Sequence, residues 1–177
     1  MADNTEIWVK TGYQVFANNG MSEMKIEKLA KKVGISKSSF YHHFADLEVF
    51  MTFLLEYHLQ QSYIIAAKEK NAQNIDPELI NILVEHKTDL LFNRQLRIHR
   101  NQELFAETLL KTDQIVGNNF VMVWVKDLDL RLNPSQLEGL FRLALENFYL
   151  QINATNLNYT WLAAYFKELK KIAATFA

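Results

Sequence analysis

The sequence holds no cysteine, so disulfides, thiol catalysis and cysteine-based zinc sites are excluded. Glycine (5) and proline (2) are scarce over 177 residues. So few breakers argue for long helices and against a turn-rich β fold. No apolar run approaches the length that spans a bilayer; Phe120 to Val125 is among the longest. The opening Met-Ala-Asp-Asn-Thr-Glu is acidic and lacks the apolar core of a signal peptide. These absences predict a cytoplasmic protein with no membrane segment. Neither the glycine pattern of a Rossmann fold nor that of a P-loop occurs, and there is no internal repeat. No nucleophile–base pair or metal-ligand cluster is recognisable, so neither an enzyme nor a cofactor is expected. Two N-x-Thr sequons, at Asn153 and Asn158, read as chance.

What is present is apolar mass, 49% of residues, enough for a substantial core. The net charge of −1 is uninformative, but its distribution is not. Met24 to His43 carries five lysines against one acid, a local charge of +4.

Helical periodicity covers almost the whole chain. Thr5 to Asn19 reads as a first helix, closed by Gly20. Ile26, Leu29, Ala30 and Val33 sit at i, i+3, i+4, i+7 of a second, which Gly34 ends. Ser36 caps a short third, Lys37 to His43, and Asp46 caps a fourth that runs to about Lys70. Asp76-Pro77 reads as a cap followed by proline, opening a helix to about Phe92. Gln95 to Leu110 and Thr112 to Leu132 read as further helices, the second weakened by Gly117 and a β-branched run. Asn133-Pro134-Ser135-Gln136 has the form of a capping box and opens a helix to about Asn153. Tyr159 to Thr175 is the last.

The informative segment is Lys25 to Leu47. Two short helices joined by a glycine turn form a helix-turn-helix pattern. Ile26, Leu29, Ala30, Val33, Ile35, Phe40 and Phe44 fall where the pair must pack on itself and on Val15 and Phe16. That leaves Lys37, Ser38, Ser39, Tyr41, His42 and His43 outward, a surface of small donors, aromatic tips and charge suited to a major groove. His42 and His43 are adjacent and point about 100° apart on a helix, so they do not form a metal site.

Phe16-x3-Gly20, Ile26-x2-Leu29-Ala30-x3-Gly34 and the run Gly34-Ile35-Ser36-Lys37-Ser38-Ser39-Phe40-Tyr41-His42-His43-Phe44-x-Asp46-x-Glu48 resemble the DNA-binding segment of the tetracycline-repressor (TetR) family. The resemblance covers about residues 5 to 55. It implies an all-α fold of about nine helices. Three form the DNA-binding head, here residues 1–46. The rest, 47–177, form an effector-binding and dimerisation body whose last two helices build a dimer four-helix bundle. It places Lys25, Ser36, Lys37, Ser38, Ser39, Tyr41, His42 and His43 at the DNA. Phosphate contacts there fix register and base-edge contacts specify sequence. Some positions depart from the family pattern. Lys25 stands where a capping threonine is common, Glu27 where a base occurs in relatives, and Leu47 where a lysine usually grips the backbone. The N-terminal arm has no basic residues. Fewer phosphate contacts and weaker non-specific binding follow.

In the body, His86 and His99, with Phe92, Phe105, Phe120, Trp124, Phe141 and Phe148, are the candidate lining of a cavity for an apolar or aromatic effector. The competing expectation for each ring is ordinary core packing. Leu137, Leu140, Phe141, Ala144, Leu145 and Phe148 make one apolar face, while Leu143 and Leu150 add another. A helix apolar on two sides must bury both. The last helix has the same need, with Trp161, Leu162, Tyr165, Phe166, Leu169, Ile172, Ala173 and Phe176. Leu143, Leu150, Trp161, Tyr165, Leu169 and Ile172 are therefore the expected homodimer interface. The function expected is a DNA-binding regulator, in this family usually a repressor, that leaves a palindromic operator when an effector binds. The alternatives are an adaptor that uses a helix-turn-helix for protein contacts, and a helical enzyme.

Overall fold

The computed structural model describes residues 4–128 and 132–175; the side chains of residues 118, 128, 173 and 174 are outside the description. Among the described residues there are nine α-helices and no strand. They are α1 (Asn4–Asn19), α2 (Ile26–Val33), α3 (Lys37–His43), α4 (Leu47–Glu69), α5 (Ile80–Glu85), α6 (Lys87–Ile98), α7 (Glu103–Leu128), α8 (Pro134–Gln151) and α9 (Tyr159–Ala174). A short 3-10 turn, Met21–Glu23, precedes α2. The all-α class expected from the periodicity is what forms. Residues 129–131 of the stretch expected to be helical to Leu132 lie outside the described residues. So do the Ala173 side chain and Phe176 of the last apolar stripe.

The chain divides into two compact units. One comprises residues 1–61 and 88–110, the other 62–87 and 111–177. The partition passes through α4 and α7, so each of these helices contributes to both.

The first unit is built on rings. Trp8, Phe16, Phe40, Phe44, Phe50 and Phe92 are each fully buried. Gly12 lets α4 approach α1: a Cβ there would run into the Phe50 ring. Buried among the rings is a polar network from three helices. The Tyr13 hydroxyl donates to Asp89 Oδ1 at 2.7 Å and lies 2.7 Å from His58 Nδ1. One phenol proton serves one acceptor, so His58 Nδ1 carries the proton on its side. Burial pushes the His58 pKa down to about 4, which keeps that ring neutral. Phe92 stacks on Tyr13 at 4.3 Å and on His58 at 4.6 Å, closing the network off.

In the second unit, α8 starts as its sequence predicts. Asn133 Oδ1 accepts from Gln136 N at 3.0 Å and Gln136 Oε1 accepts from Asn133 N at 3.1 Å, a reciprocal capping box. The sequon asparagines are structural: Asn153 Oδ1 accepts from Thr155 and Asn156 amides, and Asn158 Oδ1 caps α9 through Trp161 N.

The start near Pro77 differs from expectation. Asp76 does not cap. It is extended (φ −114°, ψ 117°), as a residue before proline tends to be. Asn74 takes the role, accepting from Glu78 N at 3.2 Å, and the Asp76 carboxylate accepts the Tyr159 hydroxyl instead. The helix expected to reach Phe92 breaks at His86 (φ −96°, ψ 26°), so α5 and α6 are separate. The expected helix Gln95 to Leu110 is likewise cut. α6 ends at Ile98, the polar run His99 to Gln102 makes a turn, and α7 then runs unbroken through Gly117. The two helices expected over 95–132 are thus one tail and one long helix.

Candidate nucleic-acid interface

Lys25 precedes α2 in extended conformation and, as a lysine must, makes no side-chain cap; its side chain is exposed. Leu29 and Ala30 are buried beneath, with Ile26 and Val33 half-buried. Gly34 ends the helix at φ +75°, a left-handed turn that favours glycine. Its amide and that of Ile35 both donate to Ala30 O, at 2.9 and 3.3 Å. Ser36 then caps α3, with Oγ accepting from Ser39 N at 3.4 Å and lying 2.9 Å from Ser38 Oγ.

The inner side of α3 is locked. Phe40 meets Trp8 of α1 at 5.3 Å and Phe50 of α4 at 5.2 Å edge-on, and lies tilted against Phe44 at 5.1 Å. Such ring pairs prefer this geometry and hold the helix in one orientation. The outer side is therefore fixed too. Lys37, Ser38, Tyr41 and His42 are exposed, with Tyr41 at 51%. Ser39 and His43 are half-buried. His43 turns back to the head itself, its Nδ1 lying 3.1 Å from Thr5 Oγ1 on α1. The His42 and His43 rings nonetheless lie edge to face, 5.2 Å apart. No group of three metal-ligating side chains exists among the described residues.

Residues 9–48 match the family model of bacterial regulatory proteins, tetR family. The matched span holds the core of α1, all of α2 and α3, and the α4 cap. Over that span the chain is similar to the tetR family. A curated relative, the uncharacterized HTH-type transcriptional regulator YerO of Bacillus subtilis (strain 168), is 27% identical over 119 residues. That alignment covers 67% of this chain and 39% of that protein. Two solved structures share the fold. A transcriptional regulator (TerR/AcrR family) of Aquifex aeolicus VF5 superposes with TM-score 0.63 at 18% identity, covering 96% of this chain and 99% of that one. A protein from Rhodococcus sp. assigned to the TetR family of transcriptional regulators gives 0.65 at 14% identity, covering 96% and 98%.

One feature of this head has no counterpart in the sequence analysis. Glu27 of α2 forms an ion pair and hydrogen bond with Lys37 of α3 across the turn. The hydrogen bond to Lys37 holds the Glu27 carboxyl below the ordinary carboxylate range, and Glu27 in turn raises the Lys37 ammonium. Both stay ionised at neutral pH, so a phosphate approaching Lys37 would compete with Glu27 for its charge. Glu27→Gln removes the competitor. The expected result is several-fold tighter binding to a random duplex, with a salt slope steeper by about one unit, measured by fluorescence anisotropy over a salt series. An unchanged slope would show that Lys37 does not engage phosphate.

The expected effector-pocket residues do not form one set. Phe92, His99 and Phe105 belong to the first unit, where Phe92 and Phe105 pack on Phe16 at 4.7 and 5.8 Å. His86, Phe120, Trp124, Phe141 and Phe148 belong to the second. There, Phe120, Trp124 and Phe141 surround one another at 5.7–6.1 Å. His86 is buried, its Nε2 2.9 Å from Lys68 Nζ. Phe148 packs on Trp161 and Tyr165 at 6.2 and 5.5 Å.

The expected dimer residues sit on α8 and α9 of the second unit. Leu143 and Leu150 are 72% and 77% exposed, and Ile172 is exposed as well. Trp161, stacked on Tyr165 at 5.2 Å, and Leu169 are half-buried. Trp161, Tyr165, Leu169 and Ile172 line an open groove with Asn147 and Gln151 of α8. No helix among the described residues is long and apolar enough to cross a membrane.

Proposed function

We propose that the chain is a homodimeric, DNA-binding transcription regulator, acting as a repressor that a small-molecule effector releases from a palindromic operator. The observation that carries the reading is α3: a helix whose aromatic inner side is locked while Lys37, Ser38, Tyr41 and His42 stand out to solvent. Lys25, Ser36, Ser39 and His43 border that surface. In this reading residues 1–46 act as the head and 47–177 as the effector-binding and dimerisation body, and the site of action is the cytoplasm. The exposed leucines of α8 and the apolar groove beside them support a dimer, because surfaces of that kind seek cover. Two-fold symmetry would set two α3 helices about one DNA turn, roughly 34 Å, apart. The aromatic cluster of Phe120, Trp124 and Phe141 in the second unit supports an effector site there. An effector changes DNA binding only by binding one arrangement of the dimer better than the other.

The test is selection of duplexes from a random pool by purified protein at fixed salt. Enrichment of a palindrome with half-sites one turn apart is expected. If the folded, ligand-free dimer enriches nothing, the regulator reading falls, and an adaptor role takes its place.

A further inference from the structure

One acid in the second unit has no place in the interface just described. Glu69 ends α4 and is 1% exposed. It continues the buried stripe Ser62, Ile65, Ala66 at i, i+3, i+4, i+7. Neither carboxyl oxygen has a hydrogen-bond partner. Burial alone pushes its carboxyl up to about 8; no cation acts on it. A glutamate in the last turn of a helix has a flexible stem and solvent close by, yet this one points inward.

Two hydrogen bonds place it. Asn119 Nδ2 donates to Ala66 O at 3.1 Å, and Lys126 Nζ donates to Gln73 Oε1 at 2.6 Å. Both pairs have the same sequence offset, so the chain from the end of α4 into the loop after it follows α7 in the same direction, with Glu69 between the two crossings. The α7 residues buried in that interval are Val123 and Trp124. The Trp124 Nε1 is also buried without an acceptor. Its ring belongs to the cluster with Phe120 and Phe141, both half-buried, so the cluster reaches the surface. Two neighbouring cations are engaged elsewhere, Lys126 with Gln73 and Lys68 with Glu85 and His86, and the adjacent Lys70 is exposed.

We propose that Glu69 is the anionic anchor of an internal site in the second unit whose ligand is a lipophilic organic cation, with its apolar body against the rings of Phe120, Trp124 and Phe141. This rests on the reading that the second unit takes an effector and names that effector's chemical class. A neutral apolar ligand leaves the carboxyl as unpartnered as before. An anion adds like charge. A bare metal ion needs several oxygen ligands, and no group of three exists among the described residues. An organic cation pairs with the carboxylate and gains attraction from the ring faces. Glu69 is mostly protonated at pH 7, so taking the cation expels its proton.

The full chain, at pH 7, is titrated calorimetrically with tetraphenylphosphonium and with the neutral triphenylphosphine oxide, in two buffers of different ionisation enthalpy. The expected result is at least tenfold tighter binding of the cation, with close to one proton released. Glu69→Gln should lose at least tenfold in cation affinity, leave the neutral probe unchanged and abolish the proton release. Equal affinity for the two probes, cation binding without proton release, or full cation affinity in Glu69→Gln overturns the proposal. The proton count on the unaltered chain decides the matter even if the variant misfolds. If the chain binds its selected duplex but neither probe, this inference fails while the regulator reading stands. If it binds the cation but selects no duplex, the reverse holds.

Discussion

Glu69→Gln will match the unaltered protein in stability near pH 4 and exceed it by several kcal/mol at pH 8. The cause is a carboxyl that folds into a place without partners. Its pKa rises from the ordinary 4.5 to about 8 on folding. Between those values the folded state holds a proton that the unfolded state has released. Stability therefore falls as pH rises through this window and levels off above it. A tenfold change in proton affinity corresponds to about 1.4 kcal/mol, so the full cost is on the order of 4–5 kcal/mol. Glutamine has the same shape and never ionises, so the variant escapes that slope. Every other titrating group, including the neutral His58, is common to both proteins and cancels in the difference. Chemical denaturation at pH 4, 6 and 8 measures it. A constant difference across this range would mean that Glu69 finds a partner or reaches water. A saturating cation should narrow the gap at pH 8, since it stabilises only the chain that keeps the acid.

The head was readable in the sequence because its signals are local. Gly34, Ser36 and Asp46 each do the backbone work that their residue type favours, and α2 and α3 begin and end where these punctuators place them. The outward set on α3 followed from knowing that Phe40 and Phe44 must point in. The pairing of Glu27 with Lys37 was missed. It joins residues ten apart across a turn, where helical spacing is no guide. In the body the breaks at His86 and after Ile98 carry neither glycine nor proline, so no local signal marks them. Asp76 was misread because two rules compete there: a residue that likes to cap stands before a proline that keeps it extended. The aromatics show a different limit. Phe92 and Phe105 read as body residues by their position in the chain, yet they pack on Phe16 of α1, because α6 and the start of α7 complete the unit that carries the head. Glu69 did leave a trace: an acid at the fourth position of the stripe Ser62, Ile65, Ala66.

Replacing Lys37 and Tyr41 together by alanine should weaken binding to the selected duplex by at least a hundredfold at about 0.15 M salt. The two side chains contribute differently. Lys37 supplies a charge, and its loss in the Glu27→Gln background should reduce the salt slope by about 0.9. Tyr41 supplies a hydroxyl on a rigid stem at 51% exposure, edge-on to Phe40 at 5.6 Å, so its loss should lower affinity with little change in slope. Neither residue is in the core, and the rings that lock α3 are untouched. Thermal stability should therefore stay within about 0.5 kcal/mol of the unaltered protein, as surface changes usually do. This separates a lost contact from a lost fold. The Glu27 pair adds a sharper condition. If Lys37 meets phosphate, part of what it offers DNA is offset by its bond to Glu27. Lys37→Ala should therefore cost more affinity in a Glu27→Gln background than alone, and the excess in a double-mutant cycle measures the competition. Equal costs in the two backgrounds would place Glu27 outside the interface. Unchanged affinity in the Lys37, Tyr41 double variant would remove α3 from the DNA, and the head would then act through other contacts.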